Sequence, residues 1–328
     1  MELTEKIKHH FLRARTRLAD RAIDRPSARE AELVDNLRTS FDQFRLTNGN
    51  TGGQTEPYWQ AKRDQLRTLI TEEEPRAFLR WAPIEQTMCV GDFPYVLTEL
   101  RHLQKQADWS DRWEPAIQES KAGHPRRFAW YPASSGTMIH HAYHLCRFEE
   151  TTGLTVDKMD TIAEFGGGYG NMCRLVYRLG FKGSYIIFDL PELCALQRFF
   201  LGLLNQPVLL ESMTLHAPGI ISVCEIETFR SLVANATGRR MFIGTWSISE
   251  APIELRKSVM DMVSSFDGVL IGYQEQFGAI NNGAFFSSWK EQEAEIFNTT
   301  AFDIEHLPGN SYLIAKRWNS LESNGKND

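Results

Sequence analysis

Four glycines fall within residues 163–172, "AEFGGGYGNM", between the apolar run "TIAEF" and a stretch of helical pattern. Bare backbone at a turn that leaves a strand and opens a helix lets a ligand approach closely, and the free N–H groups of the helix's first turn favour an anionic group. Gly166, Gly168 and Gly170 make G-x-G-x-G, with Asn171 where a dinucleotide site carries its third glycine. Glu164 sets a carboxylate beside the turn, which suits a ligand bearing an ammonium and a sulfonium better than one bearing a pyrophosphate. The pattern therefore points to S-adenosylmethionine, with NAD as the alternative. Asp189 lies 23 residues after Gly166, at the end of "YIIF", where a carboxylate can accept hydrogen bonds from both ribose hydroxyls.

Methyl transfer from a sulfonium is an in-line displacement that depends on positioning the nucleophile. A hydroxyl acceptor also calls for a general base, worth roughly 10²- to 10⁴-fold. "TWSISE" at 245–250 offers Glu250, either as that base or as a cap on the following helix, with Ser247 facing the acceptor. "SSGTMIHHAYHL" offers a helix capped by Ser134 or Ser135, on which His140 and His144 share a face and His141 is turned away by about 100°. Glu250, His140 and His141 are thus the candidate bases. The His140/His144 spacing allows joint metal binding, but the HExxH arrangement is absent and no metal is expected. Trp246 and Tyr169 border the inferred cofactor site, where an aromatic face attracts a sulfonium. "GYQEQFGAINNGAFF" brings Tyr273, Gln274 and Asn281 as a polar set suited to a hydroxyl-rich substrate.

These residues need a scaffold. "TIAEF", "YIIFDL", "RMFIGTW" and "GVLIGYQ" are short apolar runs rich in branched or aromatic residues, as strands buried on both faces of a parallel sheet are, and helical stretches separate them. That alternation specifies a doubly wound α/β sheet, with "FDIEHLPGNSYLIAKRW" adding closing strands as a hairpin at one edge. "VLLESMTLHAPGIISVCEIE" holds two candidates for the third strand. Ahead of the sheet, apolar stripes at Leu3, Ile7, Phe11, Ala14 and Leu18 and again at Val34, Leu37, Phe41 and Phe44 read as helices that pack on their own domain or on a second copy in a homodimer. "TNGNTGGQTEP" at 47–57 reads as a linker, and the Trp- and Pro-rich stretch at 80–135 as a lid, a pocket wall or a core connection. The expected division is a helical region at 1–125, a cofactor-binding domain at 126–318 and a tail at 319–328.

At 328 residues and a formal net charge of −6, the chain lacks the basic excess of a phosphate-backbone binder, so nucleic acid is not expected as a partner. Five scattered cysteines without a CxxC pair fit reduced thiols, and neither a secretory signal nor a membrane-length apolar run is evident. A cytoplasmic protein is the expectation.

"IAEFGGGYGNMCRL", "YIIFDLPEL", "SSGTMIHHAYHL" and "TWSISEAP" together resemble the putative sugar O-methyltransferase family, from about residue 58 to 316. The resemblance implies the Rossmann-like class I methyltransferase fold, a seven-stranded, mostly parallel sheet with its last strand inserted antiparallel. It also implies S-adenosylmethionine as methyl donor and a sugar hydroxyl, on a small molecule or glycan precursor, as acceptor. "FDLPEL" resembles the ribose-binding segment of small-molecule O-methyltransferases, which sets Asp189 and Leu190 beside the ribose. A nicotinamide-dependent oxidoreductase and a non-catalytic adenosyl-binding module are the rival readings.

Overall fold

The computed structural model describes residues 23–47, 57–209 and 217–318. The stripe at residues 3–18 and most of the 47–57 linker lie outside them. Helices α1 (Ala28–Thr47), α2 (Pro57–Glu72), α3 (Ala82–Thr87), α4 (Pro94–Leu103), the short α5 (Glu114–Ala116) and α6 (Gly136–Thr152) precede the sheet. Then come β1 (Thr161–Phe165), α7 (Asn171–Arg178), β2 (Ser184–Phe188), α8 (Pro191–Leu203), β3 (Ile220–Val223), α9 (Ile226–Ala234), β4 (Arg240–Thr245), α10 (Ser247–Glu250), α11 (Ile253–Val263) and β5 (Gly268–Gln274). A two-stranded ribbon of β6 (Gln276–Phe277) and β7 (Ile280–Asn281) leads into α12 (Asn282–Gln292), followed by β8 (Phe297–Asp303) and β9 (Asn310–Arg317).

The main sheet has the order β3-β2-β1-β4-β5-β9-β8. Strands β1 to β5 run parallel, and β9 is antiparallel to both neighbours. The last strand is thus inserted between β5 and β8, as expected. Of the two candidates for the third strand, Ile220–Val223 forms it, while Val208 contributes only an isolated bridge to Ile220. Successive strand residues alternate between two cores. Ile162, Tyr185, Ile187, Met241, Ile243, Leu270, Tyr312 and Ile314 enter a core shared with α6, α7, α8 and the N-terminal helices. Ala163, Ile186, Phe242, Val269, Ile271 and Leu313 enter a second core under α9, α11 and α12. This two-faced burial is why the strands read as unbroken apolar runs.

The N-terminal elements are part of the first core. Phe78, fully buried in a 3-10 turn (Pro75–Arg80), meets Trp81, Tyr169, Phe199 and Phe200 edge to face. Truncating such a ring to alanine costs about 3–5 kcal/mol. Residues 80–135 run through 3-10, α and π turns, and their Trp113 is buried. They act as both core connection and pocket wall.

Candidate active site

Strand β1 delivers the chain into the glycine turn. Gly166 adopts φ +72°, and a Cβ there would stand 2.2 Å from the Cβ of Ser247. The missing side chain is therefore demanded by the start of α10, whose Ser247 hydroxyl donates to the Phe165 carbonyl. Gly170, at φ +93°, is the N-cap of α7, and a Cβ on it would come within 3.3 Å of Leu201. It does not line the cleft, so its glycine answers to the turn and to packing, a correction to its reading as a ligand contact. Among the described residues no side chain caps α7, which leaves its first-turn N–H groups open to a ligand.

A cleft of about 790 Å³ opens over the carboxyl ends of β1, β2 and β4. One half is walled by Gly166, Gly168, Glu164, Asp189, Leu190 and Ile226. Asp189 Oδ2 accepts from the Gly168 N–H at 2.8 Å and from Gln197 at 3.1 Å, and Oδ1 from the Leu190 N–H at 2.8 Å. Burial nevertheless lifts Asp189 to about 7, against the pull of those donors. Burial likewise lifts Glu164 to about 8, although the Tyr185 hydroxyl donates to it at 2.9 Å. Two buried carboxyls held near neutrality are poised to ionise when a cation or hydroxyl donors arrive.

The other half is walled by His140, His141, Trp246, Glu250, Trp59 and Tyr95. Ser135 caps α6, accepting from the Met138 N–H at 3.2 Å. His140 Nδ1 meets Glu99 Oε1 at 2.7 Å. His141 Nδ1 lies 3.1 Å from the Asn171 side-chain nitrogen, and burial, with His140 beside it, drops its pKa to about 3. Burial thus favours its neutral form. His144, expected beside His140, has its ring 4.1 Å from that of His140 but is wholly buried and pairs with the Tyr312 hydroxyl. His141 is the ring that shares the cleft with His140. Trp246 has a positive φ of +62° with ψ −46°, a sparsely populated backbone conformation costing on the order of 1–3 kcal/mol. Its indole donates to Asn310 at 2.7 Å, and its ring lies 5.3 Å from that of His140.

Glu250 does not cap the following helix. Its carboxyl accepts from the Trp59 indole at 3.2 Å and from Gln274 at 3.5 Å, and burial raises its pKa. Helix α2 thereby borders the cleft, and on the same face its next turns are clasped where Arg63 donates to Glu192 at 2.9 and 3.2 Å and Arg67 at 2.8 Å. The expected polar acceptor set is corrected. Tyr273 is buried against Phe286 at 4.4 Å, Asn281 caps α12 by accepting from the Ala284 N–H at 2.9 Å, and Gln274 reaches Glu250 without lining the cleft. Ser247 lines the cleft while its hydroxyl is committed to Phe165. Trp59, Glu99 and Tyr95 carried no motif in the sequence.

The strand order with reversed β9, the turn after β1 and the acid after β2 occur together. The scaffold is a class I methyltransferase fold. No family profile and no curated protein matches the chain. Similar solved structures include the methyltransferase domain of bacterial CtHen1, at 9% identity over 54% of this chain and 97% of that one, TM-score 0.40. An rRNA methylase from Streptococcus thermophilus is similar at 11% identity over 53% and 94%, TM-score 0.38. So is a precorrin-6y C5,15-methyltransferase from Geobacter metallireducens, at 10% over 57% and 89%, TM-score 0.37. These likenesses carry nothing about substrate, and the fold assignment rests on the strand order. Among the described residues no helix is long and apolar enough to cross a membrane.

Proposed function

We propose that the protein is an S-adenosylmethionine-dependent O-methyltransferase acting on a sugar hydroxyl. The observation that carries this reading is a single cleft with two unlike halves, a glycine turn with buried carboxyls on one side and an aromatic, histidine-bearing wall on the other. The first half fits the methyl donor. Asp189 takes the ribose hydroxyls with Leu190 beside them, and Glu164, ionised by the incoming positive charge, faces the ammonium and sulfonium. The α7 N-terminus takes the carboxylate. When bound, S-adenosylmethionine supplies an electrophilic methyl group.

His140 is the base. Its Nδ1 is engaged by Glu99, which leaves Nε2 to receive the acceptor's proton as the oxygen attacks. Glu250 orients the acceptor and holds Trp59 over the cleft, so that α2 limits water access during transfer. Trp59, Trp246 and Tyr95 provide apolar faces of the kind that pack on sugar C–H groups, and the polar tips of His141 and Asn310 meet hydroxyls. The formal charge of −6 favours a small acceptor over nucleic acid.

The test is methyl-labelled S-adenosylmethionine offered with sugar nucleotides, glycosides and, separately, RNA. Label should enter a sugar hydroxyl, and His140→Ala should lower that turnover by about 10²- to 10⁴-fold with S-adenosylhomocysteine binding unchanged. Label in RNA alone, or full turnover by His140→Ala, contradicts the reading.

A further inference from the structure

Glu99 sits in α4, 41 residues before His140 in sequence and outside every motif that marks the cleft. It has no solvent exposure. Its Oε1 faces two imidazoles, His140 Nδ1 at 2.7 Å and His306 Nε2 at 2.9 Å, the second from the turn between β8 and β9. Tyr95 packs on both rings, edge-on to His140 at 5.7 Å and stacked on His306 at 6.1 Å. Burial pushes the Glu99 carboxyl up, but the charge and hydrogen bonds of His140 and His306 outweigh it and hold the group below the ordinary carboxylate range.

An ionised carboxylate can only accept hydrogen bonds. Both ring nitrogens that face it must therefore donate, whether the rings are charged or neutral, so once His140 gives up its second proton the remaining one lies on Nδ1 and the lone pair on Nε2. Among the described residues, Oε2 of Glu99 meanwhile has no hydrogen-bond partner. A fully buried carboxylate with one oxygen unsatisfied is expensive, and replacing such a carboxylate together with its partners by apolar residues is often neutral or stabilising. Its presence beside the cleft histidine has a chemical rather than a stabilising rationale.

We infer that Glu99 is the positioning residue for the base, fixing the Nδ1–H tautomer and the ring orientation of His140, with His306 as the second donor that anchors Glu99. This rests on the reading of His140 as the base. Glu99 does not itself line the cleft. Its effect passes through the imidazole, as a carboxylate behind a catalytic histidine acts elsewhere.

The experiment is multiple-bond 1H–15N spectroscopy on the full chain labelled in histidine, at a pH where the rings are neutral, with His140→Asn assigning the signals. Wild-type His140 should show its proton on Nδ1. In Glu99→Gln, whose amide can donate to Nδ1, the proton should move to Nε2 while S-adenosylhomocysteine binds as in wild type. A wild-type proton on Nε2 overturns the inference without recourse to any variant, and so does a Glu99→Gln spectrum in which His140 is unmoved. With an acceptor in hand, Glu99→Gln should lower kcat about 10²-fold at unchanged KM for the donor, and adding His140→Ala should take it little further. If His140→Ala alone leaves turnover intact, the base reading falls, whatever the tautomer. If His140→Ala is impaired and Glu99→Gln is not, only the role of Glu99 falls.

Discussion

Gly166→Ala tests whether the glycine turn is shaped by the protein's own packing. An L-residue at φ +72° costs roughly 1–2 kcal/mol. A Cβ 2.2 Å from Ser247 Cβ and 2.4 Å from its Oγ then has to displace α10, an overpacking cost of about 1–3 kcal/mol. The expected loss is about 2–5 kcal/mol in all. Gly153→Ala is the internal reference, because Gly153 closes α6 at φ +68° and a methyl group there would have nothing within 4 Å, so only the backbone cost of about 1–2 kcal/mol applies. Urea denaturation of both variants separates the two contributions. Ser247→Gly supplies the rescue: in that background only Ser247 Cα remains, at 3.7 Å, and Gly166→Ala should fall to the Gly153→Ala level. The double-mutant cycle should therefore show about 1–3 kcal/mol of coupling. If Gly166→Ala proves no more costly than Gly153→Ala, or the coupling is absent, the packing account of the turn is wrong.

Further predictions concern charge. Glu164 at about 8 and Asp189 at about 7 both lie above the ordinary carboxylate range, so their contribution to the stability of the ligand-free protein is present at acid pH and lost as pH rises through 7 and 8. Urea titrations across pH 5 to 9 check this. Binding of the cationic donor should release protons at pH 7 and tighten as pH rises toward 8, seen by calorimetry in buffers of different ionisation enthalpy. Tyr185→Phe removes the donor to Glu164 and should weaken that binding at pH 7. Arg174 and Glu119 form a buried ion pair that also ties in Ser135, the cap of α6, so Arg174→Ala should cost about 3–5 kcal/mol by denaturation.

Much of this was legible in the sequence where a local pattern carried it. The central strands are apolar on both faces, and the glycine turn and Asp189 sit at a fixed spacing on consecutive strands. Strand β8, "FNTTAFD", lies at the sheet edge with one side in solvent, so its polar residues hid its start. The acceptor half resisted because its pieces meet only after folding. Trp59 finds Glu250 across 191 residues, and Glu99 in "VLTELRHL" looks like any helix carboxylate until α4 packs on α6 and the β8–β9 turn brings His306. Tyr273 and Asn281 misled for the converse reason, since a polar loop sequence does not say whether its side chains face a cleft, a core or a helix end.

The most direct test is calorimetric titration with S-adenosylhomocysteine and, separately, NAD, on wild type and Asp189→Ala. Micromolar binding of the adenosyl ligand, weakened by about 10- to 100-fold in Asp189→Ala as hydrogen bonds to a charged group worth about 1.5–3 kcal/mol are lost, with no heat from NAD, is the predicted result. Binding of NAD with none of S-adenosylhomocysteine contradicts it.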